Sequence, residues 1–243
     1  MKVIPSIDLM NQKVVRLSQG EPNRMKVYSN DAPSIAAKWE ELGADALHLV
    51  DLDSALSRGN NLEVLRKISN KVSIPLQVGG GIRNIEYAQN LRGVGIQRLV
   101  IGTIALEKKK LFGEMLSKVG KDRIVVALDY KVDEVVTRGW TNPTGMQLLN
   151  ALKEMSALGV NAFLLTCVER DGMLSGPDLK VLRKAKQSSG AEIQASGGVS
   201  SIDDIRKLMQ VGVDATIIGK ALYEKNFKLE DAITLTRGVM KTN

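Results

Sequence analysis

The chain has 243 residues, 44% hydrophobic and 25% charged, with a net charge of +7, one cysteine (Cys167) and one histidine (His48). This composition fits a globular protein with a sizeable core and excludes an internal disulfide or a His/Cys zinc cluster, so no metal is expected. No apolar run approaches the roughly 18 residues needed to cross a bilayer, and the amino terminus enters a strand too soon for a signal peptide, so a cytoplasmic protein without membrane contact is expected.

In chain order, apolar strand-like runs recur at 3–7, 46–50, 74–78, 98–101, 123–128, 162–166, 192–195 and 214–218. Amphipathic stretches with helical spacing lie between them, among them 34–42, 62–68, 85–91, 111–119, 146–158 and 202–209. Eight strand-and-helix units predict an α/β chain folded as one (β/α)8 TIM barrel over 1–243, with half-barrels of roughly 1–120 and 121–243. An open doubly wound sheet is the alternative. Two connections are long: 11–31, with a strand-like hairpin around Gln19-Gly20-Glu21-Pro22-Asn23, and 131–144, which carries Arg138-Gly139-Trp140. Long loops in compact domains commonly bind or cover ligands, and Trp140 is a candidate stacking platform for a flat base. The basic run Lys108-Lys109-Lys110 opens a predicted helix as a solvated face, and basic residues are interleaved with acids throughout. With an aromatic content of 4%, nucleic acid is not an expected partner.

The halves repeat one another. Gly80-Gly81-Ile82 with Gly102 recurs 117 residues later as Gly197-Gly198-Val199 with Gly219. Glycine at the end of a strand lets the backbone approach a ligand and aim N–H groups at an anion, so two such units predict a substrate with two phosphates. Strand one, Val3 to Leu9, matches Ile124 to Tyr130, and each places an aspartate, Asp8 or Asp129, at the end of an apolar run. Two carboxylates across a barrel mouth suit a general acid and a general base, steps worth on the order of 10²- to 10⁴-fold each. His48, inside an apolar strand, reads as a packed core residue.

Together, Ile7-Asp8-Leu9, Val15-Arg16-Leu17, His48 to Asp53, Gly79 to Arg83, Ile101-Gly102-Thr103, Leu128-Asp129, Gly139-Trp140, Arg170-Asp171-Gly172, Ala195 to Val199 and Ile218 to Tyr223 resemble a histidine-biosynthesis isomerase family. That family converts phosphoribosylformimino-aminoimidazole carboxamide ribotide to its ribulosyl form. The resemblance implies an Amadori rearrangement without cofactor, with Asp8 as base, Asp129 as acid and Thr166 positioning the reacting group. It further implies phosphate sites at Gly80, Gly81, Gly102 and Thr103 and at Gly197, Gly198, Gly219 and Lys220, with Arg16, Trp140, Asp171 and Gly172 beside the substrate. A monomer is expected. The chain departs from the family at Cys167-Val168, where Asp-Ile is usual, and at Met173, where threonine is usual. Arg138 resembles forms that also isomerise phosphoribosyl anthranilate, so a bifunctional enzyme is one alternative. The cyclase of the next pathway step is another, disfavoured by Ser6-Ile7-Asp8-Leu9, and a phosphate-binding barrel without chemistry is the non-enzymatic one.

Overall fold

The computed structural model describes residues 1–18 and 21–238; Gln19 and Gly20, at the centre of the first long connection, lie outside the described residues. The strands are β1 (Lys2–Met10), β2 (Lys13–Ser18), β3 (Glu21–Ser29), β4 (Leu47–Asp51), β5 (Leu76–Gly79), β6 (Arg98–Ile101), β7 (Ile124–Lys131), β8 (Glu134–Thr137), β9 (Asn142–Gln147), β10 (Ala162–Cys167), β11 (Glu192–Ser196) and β12 (Ala215–Ile218). Eight of them, β1, β4, β5, β6, β7, β10, β11 and β12, pair in parallel in that order, and β12 pairs back to β1. The ring is therefore closed: a (β/α)8 barrel. No described helix is long and apolar enough to cross a membrane.

Strand pleating sorts the side chains into two cores. Val3, Ile7 and Leu9 of β1 point outward and pack with helix residues such as Ala36, Leu65 and Phe112, while Ile4 points inward with Val100, Val125, Ala162, Leu164, Ala215 and Ile217. Because side chains alternate along a strand, Ser6 and Asp8 share the inward face with Ile4. The same alternation turns Ala127 and Asp129 inward from β7, which lies four places round the ring from β1.

The barrel interior also holds a polar network, which reaches Arg98 and Glu192 at the amino-terminal ends of β6 and β11. Gln77 and Gln194, 117 residues apart, exchange amide hydrogen bonds across the axis at 2.9 and 3.2 Å. Gln77 Nε2 donates to His48 Nδ1 (3.0 Å), and Gln194 Nε2 donates to Glu192 (2.8 Å). Glu192 in turn holds Arg98 in a two-point ion pair at 2.8 and 3.0 Å. Burial, and secondarily Arg16, depresses the His48 pKa to about 3, so the ring is neutral and accepts. His48 is thus the core residue its apolar setting suggests.

Both long connections are antiparallel hairpins, and each continues an aspartate-bearing strand. β1 turns into β2 through Asn11-Gln12, both at positive φ (49° and 64°), a two-residue turn whose twist suits paired strands. β7 turns into β8 through Val132-Asp133 and returns as β9. The long connection expected over 131–144 therefore contains paired strands, joined by turns at 132–133 and 138–141. The predicted helix at 146–158 begins later, at Leu148, because Met146 and Gln147 belong to β9.

Leucine at either Gln77 or Gln194 leaves the partner amide buried with its cross-axis bond unmade, a cost of about 1–3 kcal/mol, whereas removing both amides removes that orphan and leaves only the separate losses at His48 and Glu192. Denaturant unfolding of Gln77→Leu, Gln194→Leu and the double variant is expected to show the double falling short of the sum by at least about 1 kcal/mol. Additive losses would mean that the cross-axis pair is not a unit.

Candidate active site

All the strand-end residues singled out in the sequence open onto one mouth, at the carboxyl ends of the barrel strands, and they form two matched halves. Gly80 (φ 100°) and Gly81 (φ 63°) repeat as Gly197 (φ 92°) and Gly198 (φ 88°). A Cβ on Gly80 would strike the Asp51 carbonyl and one on Gly81 would strike Ser54; on Gly197 it would lie 2.7 Å from the Cys167 carbonyl, and on Gly198 it would strike that of Gly176. These turns require glycine both for φ and for space. Gly102 and Gly219 share an unusual conformation, φ −101°, ψ −96° and φ −110°, ψ −99°, before the short helices Thr103–Glu107 and Lys220–Tyr223.

The strand-end aspartates are held differently. Asp8, buried, accepts from Ser6 Oγ (3.1 Å) and pairs with Arg16 Nη1 (2.7 Å). Arg16 reaches it from β2, whose Val15 is in register with Asp8. The same guanidinium lies 5.7 Å from the Tyr223 ring centre and fills the space where a Cβ on Gly219 would stand. Arg16 therefore links Asp8 to the second glycine cradle, and any side chain at Gly219 would displace it. Lys220, next in sequence, donates to the Gly172 carbonyl (2.9 Å) and brings the 170–176 loop to the same cradle.

Among the described residues, no ion pair is made by Asp129. Trp140 Nε1 donates to its Oδ2 (2.9 Å), and Thr166 lies in register with it on the neighbouring strand β10. Burial raises the Asp129 pKa, and the neighbouring Thr166 and Trp140 moderate the rise. Trp140 is therefore tied to a carboxylate by its indole N–H, a contact its position beside glycine did not disclose. It lies at a hairpin tip where Arg138, Gly139 and Trp140 all have positive φ (55°, 66° and 71°). Such conformations cost non-glycine residues on the order of 1–3 kcal/mol each and persist only when surrounding contacts hold them. Here Arg138 N donates to Thr103 Oγ1 (3.1 Å) and Lys131 Nζ donates to the Trp140 carbonyl (3.1 Å). Thr103 of the first cradle thereby touches the hairpin.

Asp171 ties the halves together. Burial lifts its pKa to about 6; Arg16 opposes the rise, Asp8 and Asp129 both add to it, and Lys220 opposes it. The Asp171 carboxyl thus lies within electrostatic reach of both strand-end aspartates and of both cations. The structure thus brings together Asp8, Arg16, Asp171, Gly172, Gly219 and Lys220 on one side and Asp129, Thr166, Trp140, Thr103 and Gly102 on the other, with the paired glycines of each half beside them. Ser6 and Tyr223 were not singled out from sequence as site residues. The signal for Ser6 was its inward parity with Asp8. No three His, Cys, Asp or Glu side chains among the described residues are grouped to hold a metal ion.

Residues 2–228 match the histidine biosynthesis protein family. The chain is 44% identical over 233 residues to the 1-(5-phosphoribosyl)-5-((5-phosphoribosylamino)methylideneamino) imidazole-4-carboxamide isomerase of Nitrosopumilus maritimus, covering 96% of this chain and 98% of that protein. Isomerases of the same name from Thermus thermophilus (41% over 233 residues, 96% and 99% covered) and Bacillus cereus (40% over 238 residues, 98% and 99%) are similarly related.

A carboxyl whose pKa is raised on folding favours the native state at low pH, and that benefit is lost as pH rises from the unfolded value toward about 6. Asp171→Asn is therefore expected to stabilise the protein above pH 6, by up to about 3 kcal/mol, with the gain vanishing toward pH 4. Thermal unfolding across pH 4–8 checks this; a gain that is flat with pH contradicts it.

Proposed function

The chain belongs to the histidine biosynthesis protein family, and from that premise we propose that it isomerises the aminoaldose named in its relatives, phosphoribosylformimino-aminoimidazole carboxamide ribotide, to the corresponding aminoketose. The observation that carries this reading is a pair of strand-end aspartates in unlike environments, facing one mouth between two glycine cradles.

The reaction moves protons only. Opening the ribose ring needs a proton delivered to the ring oxygen as the bond from C1 breaks and the C1–N iminium forms. Asp129, whose burial favours its protonated form, is assigned the delivery of this proton. Removal of the C2 proton then gives the enolamine, and Asp8, an anion held by Arg16, accepts it. Tautomerisation of the enolamine to the C2 ketone, with a proton returned to C1, completes the exchange. The substrate's two phosphates are read as occupying the two cradles, one at Gly80, Gly81, Gly102 and Thr103, the other at Gly197, Gly198, Gly219 and Lys220. Binding at both ends places C1 and C2 between the carboxyl groups, and such positioning contributes several kcal/mol to catalysis. Trp140 holds the Asp129 carboxyl, with Thr166 beside it, and Arg16 holds that of Asp8.

Purified protein incubated with the aldose, its product followed through a coupled cyclase reaction, is expected to turn over, and Asp8→Asn and Asp129→Asn are each expected to lose at least about 10²-fold in kcat while still binding substrate. Turnover of phosphoribosyl anthranilate alone would overturn the substrate assignment. Trp140→Phe removes a donor to the ionised form of Asp129, so the limb of the pH–kcat profile on which activity falls with rising pH should move to higher pH. An unmoved limb would separate Asp129 from the acid step.

A further inference from the structure

Each hairpin that follows an aspartate-bearing strand is gripped by a glutamate, and the two glutamates occupy one position of the duplicated half. Glu107 ends the short helix after Gly102, and Glu224 follows the short helix after Gly219, 117 residues apart. On the β8–β9 hairpin, Arg138 donates to both oxygens of Glu107 (Nη2 to Oε2, 2.7 Å; Nε at 3.1 Å to each), and Thr137 Oγ1 donates to Oε1 (2.8 Å). On the β2–β3 hairpin, Lys26 Nζ donates to Glu224 Oε1 (2.8 Å), and Tyr28 Oη makes a short hydrogen bond to the same oxygen.

The grips lead to the two aspartates by different routes. Glu107 anchors Arg138, the first of the three left-handed residues whose third, Trp140, donates to Asp129. Glu224 anchors Tyr28, whose ring centre lies 4.7 Å from that of Tyr223, and Tyr223 lies in turn against the Arg16 guanidinium that holds Asp8. The gripping residues differ, Arg and Thr in one half and Lys and Tyr in the other, yet each half supplies one cation and one hydroxyl, and the acceptor and its place after the cradle glycine are the same. Exposed ion pairs add little to global stability, so fold maintenance does not account for a matched pair at these two places.

We propose that Glu107 and Glu224 are positioning residues: each fastens the hairpin that orients one catalytic aspartate to the helix that starts at one phosphate cradle, so that cradle and aspartate are set as a unit. The roles of the aspartates and cradles in this inference rest on the proposed function; the grips themselves do not.

The test uses the full chain and Trp140 as reporter, with Trp39→Phe as background because these are the two tryptophans present. Glu107→Gln is expected to raise acrylamide quenching of Trp140 by about twofold or more and, in the otherwise native chain, to lower kcat/KM by about tenfold or more, since misplacement by about 1 Å costs up to 10²-fold. Arg138→Gln should do the same, and the Glu107→Gln/Arg138→Gln double should be no worse than either single variant. Glu224→Gln should lower kcat/KM comparably while leaving Trp140 quenching unchanged. Native quenching and native kcat/KM in Glu107→Gln and Arg138→Gln overturn the proposal, as does a Trp140 response to Glu224→Gln. If the native chain fails to isomerise the aldose while Glu107→Gln still frees Trp140, the grip stands and the proposed function falls.

Discussion

Closure of the eight-stranded ring is the constraint from which the site follows. β1 and β7 stand four places apart in that ring, and pleating turns Asp8 and Asp129 to the inside of each. An open sheet with the same strands would leave these carboxyl groups far apart along its edge. Closure brings them over one mouth, together with every strand-end glycine, and the cross-axis Gln77–Gln194 pair knits the two halves beneath it. The duplication recurs in the supports as well. Leu76 N is held by Gln97 Oε1 (2.6 Å) just as Ile193 N is held by Asp214 Oδ2 (2.8 Å), with 117 residues between corresponding members.

On this symmetric frame the chemistry is asymmetric, and the hairpins make it so. One supplies a guanidinium to Asp8; the other supplies an indole N–H, a neutral donor, to Asp129. An ion pair and a neutral hydrogen bond place different demands on a carboxyl's proton, which is what an acid and a base require of two residues in equivalent positions. The arrangement works against stability in places: three successive left-handed residues at 138–140 and a third carboxyl, Asp171, crowded toward the other two. Strain and like-charge crowding of this kind gather where function fixes geometry.

Much of the barrel was legible in the sequence because apolar strand runs and their glycine endings are local signals, and the repeat at 117 residues makes each half a check on the other. The strand ends at Asp8, Gly80, Asp129 and Gly197 came from that pattern alone. What was not legible depended on contacts distant in sequence. The 131–144 segment has few apolar residues in alternation, yet β7 offers it an edge to pair with, so it forms strands. The helix Leu179–Ser188 carries four basic residues among ten, and its buried stripe of Val181, Leu182 and Ala185 is short, so its local signal is weak. Trp140 read equally well as a stacking surface, since nothing local reveals that its N–H meets Asp129. Glu107 and Glu224 each look like an ordinary surface acid; only the register of the repeat and the folded hairpins connect them.

If the two halves deliver their carboxyl groups to a single shared cavity, the titration of Asp171 reads this most directly. Carbon-13 NMR of aspartate carboxyl groups, with Asp171 assigned by its loss in Asp171→Asn, should show it titrating near 6 in the native chain. Its pKa should fall in both Asp8→Asn and Asp129→Asn, because each removes a neighbouring negative charge. A value indifferent to both substitutions would mean that the two aspartates do not face the same space, and the account would fail.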